Sequence, residues 1–203
     1  MSDPTLLAVQ YNKNIPPEQK QRMVAHELGH FYQAKRCLGV NSDVTFGYHY
    51  VKPDDPVVER VLIRTAEGGA IAQSRTDGEA FNRRIQELES SGSLDFYTAR
   101  MYWGCRILGG GEMEKALYGG ESAGDSDDVQ LMHGRLIEMG LTPHERKLFE
   151  NEVREEIRSG LTPTIVQTAR RAVVVIMHEH FNGQRTNGDV IHKILEGAYA
   201  NND

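Results

Sequence analysis

With 203 residues, 39% of them hydrophobic and 26% charged, the chain has enough apolar content for one globular core and too much to be disordered. Its formal net charge is −6 and its basic residues cluster no further than pairs such as Lys35-Arg36, Arg83-Arg84 and Arg170-Arg171, which excludes nucleic acid as the expected partner. Cys37 and Cys105 are too few for a disulfide framework, no secretory signal opens the sequence, and the longest apolar run, Ala172–Met177, falls far short of the roughly 20 residues a bilayer span needs, so the expectation is a cytoplasmic protein without membrane contact.

Residues 1–18 hold Pro4, Pro16 and Pro17 and read as an irregular N-terminal arm ahead of one domain over 19–203. Pro16-Pro17 followed by Glu18 suits a helix start, where the missing N–H costs nothing. Met23, Val24, Leu28, Phe31 and Ala34 then keep helical spacing to about Cys37, and Gly39 is a natural stop. Val44–Val51 alternates and is rich in β-branched and aromatic side chains, which predicts a strand. Val61–Thr65 predicts a second strand, and Gly68-Gly69 turns the chain into a third over Ala70–Gln73. Helical patterns follow over 78–89, 94–118 (broken at Gly109-Gly110-Gly111), 126–139, 143–159, 163–181 and 187–197, with Thr142 and Glu145 spaced as a capping box. The fold class expected is mainly α, with a small β-sheet beside the first long helix.

That helix carries His26-Glu27-Leu28-Gly29-His30, an H-E-x-x-H pattern. The i, i+4 spacing puts both imidazoles on one face, one turn apart, within reach of a single ion. Zinc suits two imidazoles plus a carboxylate, with a fourth position open to water, and Glu27 lies alongside to act as general base. Two histidines that merely face solvent are the bland alternative. Against it, a Gly inside a helix costs about 1 kcal/mol relative to Ala, so close packing at Gly29 is expected to offset that cost. The third ligand is open on spacing. Gln33 and Arg36 stand where a metzincin would need Gly and His, which excludes that class, whereas Glu59, Glu67 and Glu79 all remain eligible.

Farther along, Leu108-Gly109-Gly110, then Tyr118-Gly119, then Ser126-Asp127-Asp128-Val129 occur in order. This segment resembles the peptidase domain of the FtsH-type ATP-dependent zinc metalloproteases, whose metal motif is usually His-Glu-Ala-Gly-His and differs here only at Leu28. Met139-Gly140-Leu141-Thr142 and the run from Asn187 to Leu195 are similar to the family's later segments. The resemblance implies a helical zincin-like peptidase domain with Asp128 as third zinc ligand, Asp125 and Asp127 being its neighbours and rivals. Gly111 replaces the usual Arg, and Asp127 the usual Asn. Glu114 falls where the family has an acid, either supporting the metal site or simply solvated. No phosphate-binding loop occurs, so the chain is expected to stand as the peptidase module alone, independent of ATP.

These readings imply a zinc metalloendopeptidase with one zinc per chain held by His26, His30 and Asp128. Its substrate would be unstructured polypeptide, reaching it freely or from a separate ATPase or unfoldase, and oligomers are possible. The alternative is a catalytically silent zincin-fold binding or regulatory protein. An edge strand near 69–73 is expected to receive the substrate backbone. His49 is a sheet-face residue that can also reach substrate, His133 and His178-Glu179-His180 are off-face for ligation, and Phe96, Tyr97, Tyr102 and Trp103 are expected in the core.

Overall fold

The computed structural model describes residues 4–53, 61–66, 68–122 and 124–200. It is mainly α-helical with two small antiparallel sheets. The helices are α1 (Pro4–Asn14), α2 (Pro17–Leu38), α3 (Glu79–Ser90), α4 (Phe96–Tyr118), α5 (Asp125–Glu138), α6 (Pro143–Gly160), α7 (Pro163–Glu179) and α8 (Gly188–Ala200). The strands are β1 (Val44–Thr45), β2 (His49–Val51), β3 (Val61–Arg64), β4 (Ala70–Ala72), β5 (Arg75–Thr76) and β6 (Arg185–Thr186). Among the described residues no helix is long and apolar enough to cross a membrane.

α2 starts with Pro17 in its first turn and ends on Gly39, whose φ of 69° supplies the left-handed conformation that closes the last turn. One stripe of α2, with Val24, Leu28 and Phe31, packs on Met113 of α4, Ala172 and Ile176 of α7, and Ile191 of α8. A second core, Leu108, Met132, Leu136, Val153 and Ile157, joins α4 to α5 and α6. α4 therefore lies between two cores, and the metal-motif helix packs along it.

The expected break at Gly109-Gly110-Gly111 does not occur, and α4 is continuous through it. The glycines are there for contact. A Cβ on Gly109 would lie 2.8 Å from the carbonyl oxygen of Gly29 and 2.6 Å from Gln33 Cγ, and one on Gly29 would lie 2.7 Å from Met113 Cβ. α2 and α4 thus meet backbone to backbone, and this packing offsets the helix cost of glycine.

Residues 4–14 were expected to be irregular and form α1 instead. Its apolar spacing is weak, so tertiary contacts support it: the buried Asn12 side chain donates to Tyr48 O at 2.8 Å and accepts from Tyr48 N at 2.7 Å. The strand expected over 44–51 is two strands in two sheets. Gly47, at φ 89°, turns the chain between them, and Ser74 Oγ accepts its N–H at 2.8 Å. The sheet orders are β5-β1-β6 and β2-β4-β3. β4, within the 69–73 region expected at an edge, is therefore central, paired through Ile71 to both Tyr50 and Ile63. The free edge beside α2 belongs to β5.

Candidate metal centre

α2 projects His26 and His30 from one face, with ring centroids 4.7 Å apart and planes at 84°. α5 begins opposite them, and its first turn brings in Asp128. Asp128 Oδ2 lies 3.2 Å from His26 Nε2 and 3.5 Å from His30 Nε2, and one ligand atom from each of the three residues lies within 4.8 Å of the others. A tetrahedral ion with bonds of about 2.0–2.1 Å needs ligand atoms about 3.3 Å apart, so both measured separations suit it. Asp128 Oδ2 is buried and has no hydrogen-bond partner. Such an atom costs stability unless something satisfies it. A divalent cation would, and two imidazole nitrogens with one carboxylate oxygen form a donor set that zinc favours.

Gly110 leaves the space for this convergence. A Cβ there would lie 2.6 Å from His30 Nε2 and 2.8 Å from His26 Nε2, on top of the ligand atoms.

The outer partners orient both rings. His30 Nδ1 is 2.8 Å from the carbonyl oxygen of Arg106, which can only accept, so Nδ1 carries the proton and Nε2 is left free to ligate. His26 Nδ1 lies 3.6 Å from Glu114 Oε2 and 3.5 Å from Ser122 Oγ. Glu114 is buried, 2% exposed, and held by Arg22 at 3.1 Å and by the Ser122 hydroxyl, so it is not a solvated helix acid but a group placed beside the His26 ring.

Glu27 is also buried, with Oε2 accepting from Thr76 Oγ1 at 2.8 Å. Burial pushes its carboxyl up to about 7, while His26 and Thr76 pull the other way. A carboxylate poised near neutrality suits a general base. In the metal-free chain burial alone would lower His26, but the Asp128 and Glu114 carboxylates beside it hold it up to about 10. Burial depresses His30 to about 4, against the attraction of Asp128. One proton thus sits where a cation would bind.

No family model, curated protein or solved structure matches the chain. The chemistry of the site rests on its own donor atoms.

Of the rival acids, Asp125 turns away to Lys115 at 2.6 Å and Arg154 at 3.1 Å, and Asp127 is exposed on the cleft rim. Glu79 lines the same cleft outside the donor cluster, while Glu59 and Glu67 lie outside the described residues. His133 pairs with Glu150 at 3.2 Å, and His180 lies 4.0 Å from Glu179. His49, on β2, lines the cleft. The aromatic group divides: Phe96 and Tyr97 are exposed at 61% and 55%, against expectation, whereas Trp103 reaches the cleft and stacks under Arg135 at 5.2 Å.

The cleft has a volume of about 600 Å3 and runs from His26, His30 and Asp128 along the segment from Ala72 to Asn82. Sequence reasoning missed Thr76, Arg106 and Ser122. Arg106 supports His30 through its carbonyl, which any residue type could supply, and Thr76 sits in a two-residue strand with no pattern to read.

Proposed function

We propose that this chain is a zinc-dependent endopeptidase resembling the FtsH-type peptidase domain, with His26, His30 and Asp128 holding one zinc per chain and Glu27 as general base. The observation that carries the reading is the convergence of two imidazoles and an orphaned carboxylate oxygen beside a buried glutamate in an open cleft. Bound there, zinc supplies Lewis acidity, lowering the pKa of water toward about 7 and polarising a peptide carbonyl.

Glu27 takes the proton of the attacking water and delivers it to the leaving amine nitrogen. The hydroxyl ends on the acyl carbon as the C–N bond breaks. The Thr76 hydroxyl fixes one Glu27 oxygen and so aims the other. An extended peptide can add along the open edge of β5, where Arg106 now donates to Thr76 O at 2.9 Å and would yield to a substrate strand. Such binding needs an extended chain, which favours unstructured substrates or ones delivered by a separate unfoldase. The sequence contains no phosphate-binding loop, so hydrolysis itself is expected to proceed without ATP. Cys37 and Cys105 are free thiols, in keeping with a proposed cytoplasmic location.

The test pairs elemental analysis with hydrolysis of casein or a peptide library. The expected result is about one zinc per chain, and Glu27→Gln should keep the zinc while turnover falls about 10²–10⁴-fold. Unchanged turnover in Glu27→Gln, or full zinc occupancy in His26→Ala, overturns the assignment. Zinc bound by the wild type without turnover supports the silent scaffold instead.

A further inference from the structure

α2 and α4 run antiparallel, and their contact is a ladder of facing positions one helical turn apart. A Cβ on Gly29 would lie 2.7 Å from Met113 Cβ, and one on Gly109 would lie 2.6 Å from Gln33 Cγ. Position 29 therefore faces 113, and position 33 faces 109. Residues four apart share a helix face, so the next rung sets Cys37 of α2 against Cys105 of α4. The structure fills that rung as the spacing demands. Cys37 packs against the core cluster that holds Cys105, and the two thiols are hydrogen-bond partners. The only two cysteines of the chain thus meet, although they are far apart in sequence.

Their surroundings differ. Cys37 is half-buried near the end of α2, whereas Cys105 is buried. The hydrogen bond from Cys105 holds the Cys37 thiol below its ordinary value against the effect of burial, with help from the Arg36 guanidinium. Cys105, the donor, is pushed up by that bond and by burial. A half-buried cysteine with thiolate character beside a second thiol is the arrangement of an oxidisable pair.

We propose that Cys37 and Cys105 are a redox modification site, closed by a peroxide to a disulfide that clasps α2 to α4 and reopened by a dithiol. The Cys37 thiolate attacks one peroxide oxygen, the O–O bond breaks, and the departing hydroxide takes up a proton to leave as water. Cys105 sulfur then attacks the sulfur of the Cys37 sulfenic acid. The S–O bond breaks, and the second hydroxide leaves as water with the Cys105 proton. Two thiols have lost two electrons, and one peroxide has become two waters. A disulfide needs Cα atoms roughly 4.4–6.8 Å apart, an approach favoured where helices meet through glycine. The clasp would sit next to Arg106, whose carbonyl orients His30, and would fasten the seam between the two helices. It does not depend on the peptidase reading.

The test is to treat the reduced, zinc-free protein with millimolar hydrogen peroxide, quench with catalase, and count thiols after denaturation. Expected are loss of both thiols, a monomer on a non-reducing gel, one peptide pair linking Cys37 to Cys105, and full reversal by dithiothreitol. The linked protein should melt about 5–10 °C above Cys37→Ser treated the same way, a control that carries the same methionine oxidation. In Cys37→Ser the buried Cys105 should keep its thiol, and in Cys105→Ala the oxidation should stop at a Cys37 sulfenic acid that dimedone captures. Two thiols that survive peroxide overturn the proposal, as does their loss into disulfide-linked dimers. Equal loss of Cys105 in Cys37→Ser, no dimedone adduct in Cys105→Ala, or a linked protein that melts no higher than its control overturns it as well.

Discussion

Two clusters of buried charge flank α4, and they are built on opposite principles. Around Arg154 every group is answered. Its guanidinium donates to Glu150 at 3.0 Å, to Asp125 at 3.1 Å and to Glu112, while Glu112 also accepts from Arg158 at 2.7 Å and Asp125 from Lys115 at 2.6 Å. Around His26, His30 and Asp128 the donor atoms point at a common centre, and one carboxylate oxygen has no partner. A saturated network of this kind joins α4, α5 and α6 into one frame. An unsaturated, convergent one is an arrangement that a bound cation would complete. The two meet in the first turn of α5, where Asp125 is clamped by the frame and Asp128, three residues on, faces the histidines.

Substitutions can break this comparison, and the largest effect is expected at the convergent cluster. Asp128→Asn should weaken zinc by more than the roughly 10–100-fold typical of losing an outer partner, and should lower the melting temperature of the metal-free protein at neutral pH, because the carboxylate 3.2 Å from His26 Nε2 is what holds that buried ring protonated. Asp127→Asn should bind zinc like wild type. If Asp127→Asn loses zinc and Asp128→Asn keeps it, the ligand assignment is wrong. Arg154→Met is the reverse case. It takes one cationic partner from each of Glu112, Asp125 and Glu150, which keep Arg158, Lys115 and Lys147, and should cost about 1.5–3 kcal/mol in denaturant unfolding, with zinc affinity reduced only secondarily through Asp125. A loss under 1 kcal/mol, on the scale of exposed pairs, would mean that the network is not the frame.

Acid should separate the two clusters next. Burial alone would raise Glu112, Asp125 and Glu150, but their Arg and Lys partners hold all three below the usual carboxylate range. Their contribution is complete above about pH 4, where carboxylates of the unfolded chain are ionised, and drains as pH falls through the lower folded values. Unfolding free energies measured between pH 7 and pH 2.5 should therefore drop steeply in wild type and less so in Arg154→Met. Parallel curves would contradict the linkage. The smallest effect is expected at Thr142, whose side chain caps Glu145 N at 3.3 Å while Glu145 returns to Thr142 N at 2.8 Å. Thr142→Ala should cost about 0.5–2 kcal/mol by loosening the start of the helix that carries Arg154, without moving zinc affinity.

Local chemistry made much of this legible in advance. The helices from α2 onward announced themselves through apolar spacing and through Pro17, Thr142 and Gly39 at their ends, because caps and stripes are written within a few residues. His26, Glu27 and His30 were legible for the same reason, a single helical turn fixing their common face. Asp128 was available only through resemblance. Its neighbours Asp125 and Asp127 have the same chemistry, and choosing among them needs the direction from which α5 meets α2.

The sequence alone determined the helical class and the placing of the histidine pair and its glutamate on one helical turn. It could not determine what the glycines at 109–111 do, since glycine lowers helix propensity wherever it stands and only a facing backbone reveals its use. Nor could it show that residues 4–14 fold, because Asn12 earns its hydrogen bonds from Tyr48, 36 positions away. Tertiary structure also decided that Asp128 rather than Asp125 faces the histidines, that Thr76 steadies Glu27, and that the open strand edge is β5. In each case the deciding partner lies on another element, and pairing across elements is a property of how whole helices and strands pack, which no local pattern encodes.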